Sequence, residues 1–327
     1  MSTTARGDDR HREIPVTQEL AETLRIFRRS GTAPVPDVPE PQAAVVLVRD
    51  SSRGLQVFVT RTVDALGHAE RGRYGFPTGT VDPSEIRRLP IAGWDAARCA
   101  RQLRIDSPGR GLSWFSAAAR TVLRKLGVFL AQDAEGRVVG EDTVAERARD
   151  GLDEGRRLAE VVASRDHALR PDLLRPWLRW VNTPLQLRRF DTVYFLAAVP
   201  QGQSVRLEST NEVWGGWMRP EDVLELGGDN DSDLISPPTR ILLESFAGVP
   251  TVGSTMTRIR DILPVTPEIV RKGGDWWVSF DRPTDPSERG QARAFDVLES
   301  TPEEENTALV DDEEVAARPD DEQGSTP

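Results

Sequence analysis

Residues 113–130 read Ser113-Trp-Phe-Ser-Ala-Ala-Ala-Arg-Thr-Val-Leu-Arg-Lys-Leu-Gly-Val-Phe-Leu130, and this stretch decides the fold. Phe115, Ala118, Ala119, Val122, Leu123 and Leu126 recur at three- and four-residue spacing, which on a helix forms one apolar stripe. Gly127 stands near the end of the stripe, where a left-handed cap costs a glycine little. Thr121, Arg124 and Lys125 are also three and four residues apart, so they share a face of their own. The segment predicts an amphipathic helix laid on an apolar surface.

The surface it needs lies on either side in the chain. Upstream, Ala43–Arg49 and Gln56–Arg61 are β-forming runs joined by Asp50-Ser-Ser-Arg-Gly54, a hairpin-turn composition. A Gly/Pro-dense loop, Gly72-Arg-Tyr-Gly-Phe-Pro-Thr-Gly79, follows, and then a polar insertion to about Gly111. Downstream, Glu141–Arg179 reads as helical, rich in Ala, Leu and Arg and interrupted by Pro171 and Pro176. Asp191–Val199, Ser204–Leu207, Val213–Met218 and Asp275–Phe280 read as strands, and Pro237–Phe246 as a helix after a double proline. Helices and strands do not alternate strictly and no repeat of 20–50 residues is present, so the class is α+β.

Composition bounds the function. The net charge of −11 is concentrated at one end: residues 301–327 carry ten carboxylates against Arg318, leaving about −2 for the rest. Too little apolar surface is present there to offset the entropy of ordering, so 286–327 is expected to be a disordered acidic tail. Residues 1–40, polar with a helical pattern near Gln18–Phe27 and a Pro-rich Ala33–Pro41, are expected to be a disordered tail and linker. One domain is then expected over 41–285, with a helical insertion at about 141–185. No apolar run approaches membrane-spanning length, the N-terminus has no secretory pattern and there is a single cysteine, Cys99. These features lead us to expect a cytoplasmic protein with neither membrane nor nucleic acid as partner.

The loop and helix together resemble the Nudix signature. Gly79 and Glu85 have the spacing of its first half, Phe76-Pro-Thr-Gly79 is similar to its Phe-Pro-Gly-Gly lead-in, and Arg120, Val122, Gly127 and Val128 match its second half. A long insertion separates the halves, as in the branch containing the peroxisomal acyl-CoA diphosphatases and their bacterial relatives. Tyr74-Gly-Phe-Pro77, Trp180-Val-Asn-Thr-Pro184, Arg188-Arg-Phe-Asp-Thr192, Trp217-Met-Arg-Pro220 and Ser236-Pro-Pro-Thr239 resemble that branch in colinear order over roughly 41–247. The resemblance implies an α/β/α sandwich on a mixed sheet. It also implies a nucleoside diphosphate-linked, CoA-like ligand and, if the chain is active, Mg²⁺ or Mn²⁺.

The departure is at the chemistry. Three family glutamate positions hold Thr121, Arg124 and Lys125, turning a face of three negative charges into one of two positive charges. Mg²⁺ takes oxygen ligands and is repelled by fixed cations, so the box as it stands does not hold it. Three accounts of this face remain open. The helix is core scaffold alone; or Gly79, Arg120, Arg124 and Lys125 bind a diphosphate directly; or hydrolysis persists through relocated carboxylates, for which Asp82, Glu85, Glu208 and Glu212 are the candidates. Arg120, whose family partner is missing, has Glu85 as a possible partner, and Thr78 replaces a glycine beside the expected substrate. His68, Trp214, Trp217, Trp276 and Trp277 are weaker candidates, more simply explained as a solvated loop histidine and as core or rim aromatics.

Overall fold

The computed structural model describes residues 11–31, 38–63, 72–186, 188–208, 212–228, 232–258, 260 and 262–282. The chain divides into two units, Met1–Pro286 and Ser287–Pro327. The second unit, with the acidic tail, and His68 lie outside the described residues.

The elements run β1 (His11–Pro15), α1 (Gln18–Ser30), β2 (Glu40–Ser51), β3 (Gly54–Thr62), β4 (Tyr74–Gly75), β5 (Thr78–Thr80), α2 (Ala96–Gln102) and α3 (Pro108–Leu126). There follow β6 (Ala131–Gln132), α4 (Asp142–Asp153), α5 (Leu158–Ala163), β7 (Ala168–Leu169), β8 (Arg175–Val181) and β9 (Phe190–Ala198). The last are β10 (Glu212–Met218), α6 (Pro220–Leu226), α7 (Pro237–Phe246), α8 (Val252–Met256), β11 (Pro264–Val265), β12 (Glu268–Lys272) and β13 (Asp275–Asp281).

A mixed sheet in the order β10-β3-β2-β9-β8-β11 forms the centre, with β4 on β3 and β5 on β2. The β2–β9 pair is parallel along its whole length, from Glu40↔Phe190 to Val48↔Ala198, and β11 is parallel to β8, while β3 pairs antiparallel with β2 and β8 with β9. Side chains alternate across a strand, and β2 divides accordingly. Ala43, Val45 and Leu47 join a core with α2, α3, α4 and α5, whereas Val46 and Val48 join a second core with α6 and α7. Both faces are covered, so β2 and β9 are apolar on both sides instead of alternating with polar residues. This is an α/β/α sandwich of α+β class.

The helix α3 begins earlier than its periodicity indicated, at Pro108 behind the N-cap Ser107, and stops at Leu126 with Gly127 in the left-handed region (φ 69°). The preceding segment is no polar insertion. Trp94, Cys99 and Leu103 are buried, and α2 crosses α3 so closely that a Cβ on Gly111 would lie 2.4 Å from the Ala100 Cα. The helical expectation over 141–185 holds only for α4 and α5. Pro176 sits inside strand β8, at a register irregularity between Pro176 and Leu178, where a missing N–H is tolerated. Ser204–Leu207 forms no strand. Its backbone instead caps α3, with Arg206 N donating to Leu126 O at 3.0 Å and Glu208 N to Lys125 O at 2.8 Å.

Residues 11–30, expected as tail, are part of the fold. Strand β1 pairs antiparallel with β13, and with β12 they form a separate three-stranded sheet. Ile14 is 2% exposed, and Leu20 and Leu24 bury the inner face of α1. An edge strand with His11, Arg12 and Glu13 leading it lacks the apolar alternation that marks strands in sequence. Ile14→Ala should therefore cost about 2–4 kcal/mol, measured by denaturant unfolding. A linker residue would show no change.

Candidate functional site

The box loop and α3 meet at one end of the central sheet. Strand β5 pairs with the first residues of β2, Gln42↔Thr80 and Ala44↔Thr78. A Cβ on Gly79 would stand 2.2 Å from Thr121 Oγ1, so only glycine lets the helix approach the strand here. The buried Thr121 hydroxyl donates to its own helix, at 2.7 Å from Ala117 O. No oxygen is presented outward at this position.

After β5, Asp82 caps a short 3₁₀ turn, Pro83–Ile86, accepting from Ser84 N at 2.8 Å; that hydrogen bond holds its carboxyl below the usual range. The turn places Glu85 under the helix, where it is buried and paired with the Arg120 guanidinium, which also donates to Thr80 O. Burial pushes the Glu85 carboxyl above its ordinary value, and the neighbouring Arg120 charge offsets only part of that. Its Oε2 has no partner among the described residues.

The other two cations are also engaged. Lys125 Nζ donates to Glu212 Oε1 at 2.7 Å, and the Glu212 side chain at the start of β10 is only 5% exposed. Arg124 Nε lies 3.3 Å from Asp153 Oδ1 at the end of α4, with both side chains about half exposed. Glu208 Oε1 is 3.0 Å from Nη2 of the buried Arg149, whose Nε and Nη1 lack partners among the described residues. The structure thus brings Gly79, Glu85, Arg120, Lys125 and Glu212 to one sheet end, with Asp82 within reach of the Arg120 charge and Glu208 bonded through its backbone to Lys125 O while its carboxylate meets Arg149. Asp153 and Arg149, both on α4, are the residues that sequence reasoning missed. Their only signal was their position on a helix expected to pack nearby.

A divalent cation does not fit this arrangement. Its ligands would be Glu85 and Glu212, and each already faces a fixed cation. Among the described residues, no group of three or more His, Cys, Asp or Glu stands together in a way that would hold a metal ion. Cys99 is buried and its thiol is pushed up to about 12 by that burial, so it is no nucleophile. Trp217 packs edge-on against Phe58 with Arg49 over its ring, Trp214 is 43% exposed, and Trp276 and Trp277 lie on β13 away from the box. Among the described residues no helix is long and apolar enough to cross a membrane.

No protein-family model and no curated protein matches the sequence. Solved structures do. A crystal structure of a Nudix hydrolase from Alicyclobacillus acidocaldarius superposes with a TM-score of 0.50 at 22% identity, covering 68% of this chain and 97% of that one. A C. elegans Ap4A hydrolase binary complex matches at TM-score 0.32 and 13% identity, covering 64% of this chain and 95% of that one. The Nudix domain of Shewanella oneidensis NrtR, complexed with ADP ribose, matches at 0.31 and 12%, covering 64% and 88%. The first of these joins the mixed sheet sandwiched between helices, and the fold of this chain is that of a Nudix hydrolase.

Proposed function

We propose that this Nudix-fold chain binds a nucleoside diphosphate-linked, CoA-like small molecule and hydrolyses it little or not at all. The observation that carries the first half of that reading is the colinear set of segments resembling the acyl-CoA diphosphatase branch. The second half rests on the ion pairs across the box helix. Arg120 with Glu85 and Lys125 with Glu212 join helix to sheet by internal cations where the family uses a metal. A lysine ammonium supplies charge and three donors but cannot activate a water as a bound metal does. Of the three box cations, Arg124 is the one a ligand phosphate would recruit. Its exposed pair with Asp153 is of a kind worth about 0–1 kcal/mol, whereas Lys125 would have to abandon a nearly buried carboxylate.

Hydrolysis through relocated carboxylates is the alternative, and it would require Asp82, Glu85, Glu208 or Glu212 to leave its present partner. A thermal-shift screen of CoA esters, nucleotide sugars and dinucleotides, with Mg²⁺ and with chelator, separates the readings. Stabilisation insensitive to chelator, without release of a cleaved nucleotide, is expected. Cleavage stimulated by Mg²⁺ or Mn²⁺ would establish the hydrolase instead, and no shift with any compound would leave a scaffold.

Two further outcomes follow from the pairs. Lys125→Met leaves Glu212 buried beside a neutral group and should lower stability by about 3 kcal/mol in denaturant unfolding, with much of the loss recovered in Lys125→Met/Glu212→Gln. Arg124→Glu/Lys125→Glu rebuilds two carboxylates beside Glu212. This variant should be less stable in chelator than the parent and regain stability in millimolar Mg²⁺ by preferential binding to the folded state. Adding Thr121→Glu is expected to disturb packing, since that side chain is held against Gly79. A double variant that folds and ignores Mg²⁺ would show that the helix faces no open site.

A further inference from the structure

The box helix accounts for one face of the central sheet, yet several segments that resemble the diphosphatase branch lie away from it. Residues 180–184, 188–192 and 236–239 converge on a cavity of about 530 Å³ on the opposite face, placing Trp180, Asn182, Phe190, Thr192, Ser236 and Pro237 in its walls. Helix α1 closes one side through Leu20 and Thr23. Thr78 also lines it, while the next residue, Gly79, meets Thr121 on the other face. Strand β5 therefore separates the cavity from the box helix by a single residue.

The lining selects a chemistry. Trp180, Phe190, Pro237 and Pro238 supply flat apolar walls suited to a ring. Gln42, Thr192 and Tyr194 line the interior, and their side chains make no hydrogen bond among the described residues. Asn182, by contrast, is held, donating to Gln186 at 2.6 Å and accepting from Phe190 N at 2.9 Å. Burial alone drives the Tyr194 phenol far above its usual value, so it stays a neutral donor. Side chains whose hydrogen-bonding groups stand unengaged in a cavity wall are available to an occupant, and three of them in this lining suit a hydrogen-bonding one. Charge stands only at the rim. Arg73 is shared with Glu19 and Asp233 at 3.5 and 3.7 Å, while the Arg188 side chain is 80% exposed with Glu40 no nearer than 3.9 Å.

We propose that this cavity seats the nucleoside half of the ligand, its base against Trp180 and Phe190 and within reach of Gln42, Thr192 and Tyr194, its phosphate met by Arg188. The proposal rests on the nucleotide-linked reading above and deepens it by moving the binding determinants to the sheet face opposite the box helix.

Isothermal titration of the full chain with AMP and UMP, with pantetheine and inorganic diphosphate alongside, tests it. At least one nucleotide should bind, and more tightly than pantetheine or diphosphate. Tyr194→Phe should weaken that binding about tenfold while leaving the melting temperature unchanged, because the lost hydroxyl bonds no other described residue. Arg188→Glu, at an exposed position, should weaken nucleotide binding but not that of the parent nucleoside. Nucleotide binding that survives Tyr194→Phe and falls with Arg124→Glu would put the ligand on the box helix, overturning this inference and leaving the functional reading intact. Tight binding of pantetheine in place of either nucleotide would overturn the nucleoside assignment. If neither these probes nor the intact CoA esters and dinucleotides bind, the functional reading fails, and this inference with it.

Discussion

Helix α3 lies across the end of the central sheet because Gly79 lets it, and its polar edge is neutralised by carboxylates of neighbouring elements. Thr121 fills the space that a Cβ on Gly79 would need, with 2.2 Å between them, so strand and helix are in contact with no room for a ligand between. At that distance the functional groups along the helix edge are drawn toward the sheet. Two nearly buried carboxylates, Glu85 and Glu212, wait there from different elements. Left alone, two such charges would oppose folding, since burying a carboxylate without a partner is costly. Arg120 and Lys125 meet them, one from each side of Thr121.

On the proposed reading, tethered cations stand here in place of a bound metal. A bound metal stabilises a fold only while its free concentration exceeds the dissociation constant, whereas an ammonium on α3 is present whenever the chain is folded. The exchange also alters what the site can do. A divalent ion has coordination positions left for a phosphate oxygen and a water, but the Lys125 ammonium directs one of its donors to Glu212 and cannot polarise a nucleophile. The segment 204–208 adds to the same effect, since its backbone N–H groups occupy the Leu126 and Lys125 carbonyls at the helix end. Together these contacts join α3 to the start of β10.

Local patterns made much of this legible. The stripe on α3, the runs in β2 and β9 and the double proline before α7 are period signals, and each marks an element whose burial agrees with its spacing. The pairing of Arg120 with Glu85 was open to inference because both belong to the box. What failed was whatever depends on contacts across long separations. Strand β1 reads as polar tail since its partner, β13, lies some 270 residues away and only Ile14 is deeply buried. Strand β8 was hidden by Pro171, Pro176 and a neighbouring helical composition, and it is the register irregularity at Pro176 that makes a proline acceptable there. Asp153 as partner to Arg124, and Glu212 to Lys125, cannot be extracted from spacing, being set by how α4 and β10 are placed in three dimensions.

The two faces of the sheet differ in what they leave open. On the α3 face, the positions at which the resemblance implies metal ligands hold Thr121, Arg124 and Lys125, and both cations are paired with carboxylates. On the α7 face, the Trp180, Arg188 and Ser236 segments still surround an open volume whose lining includes polar side chains without partners. Tyr194 lines it from β9, partly buried and one strand away from the Gly79–Thr121 contact. On the proposed reading, a closed α3 face beside an open cavity on the α7 face suits a protein that reads a ligand instead of consuming it.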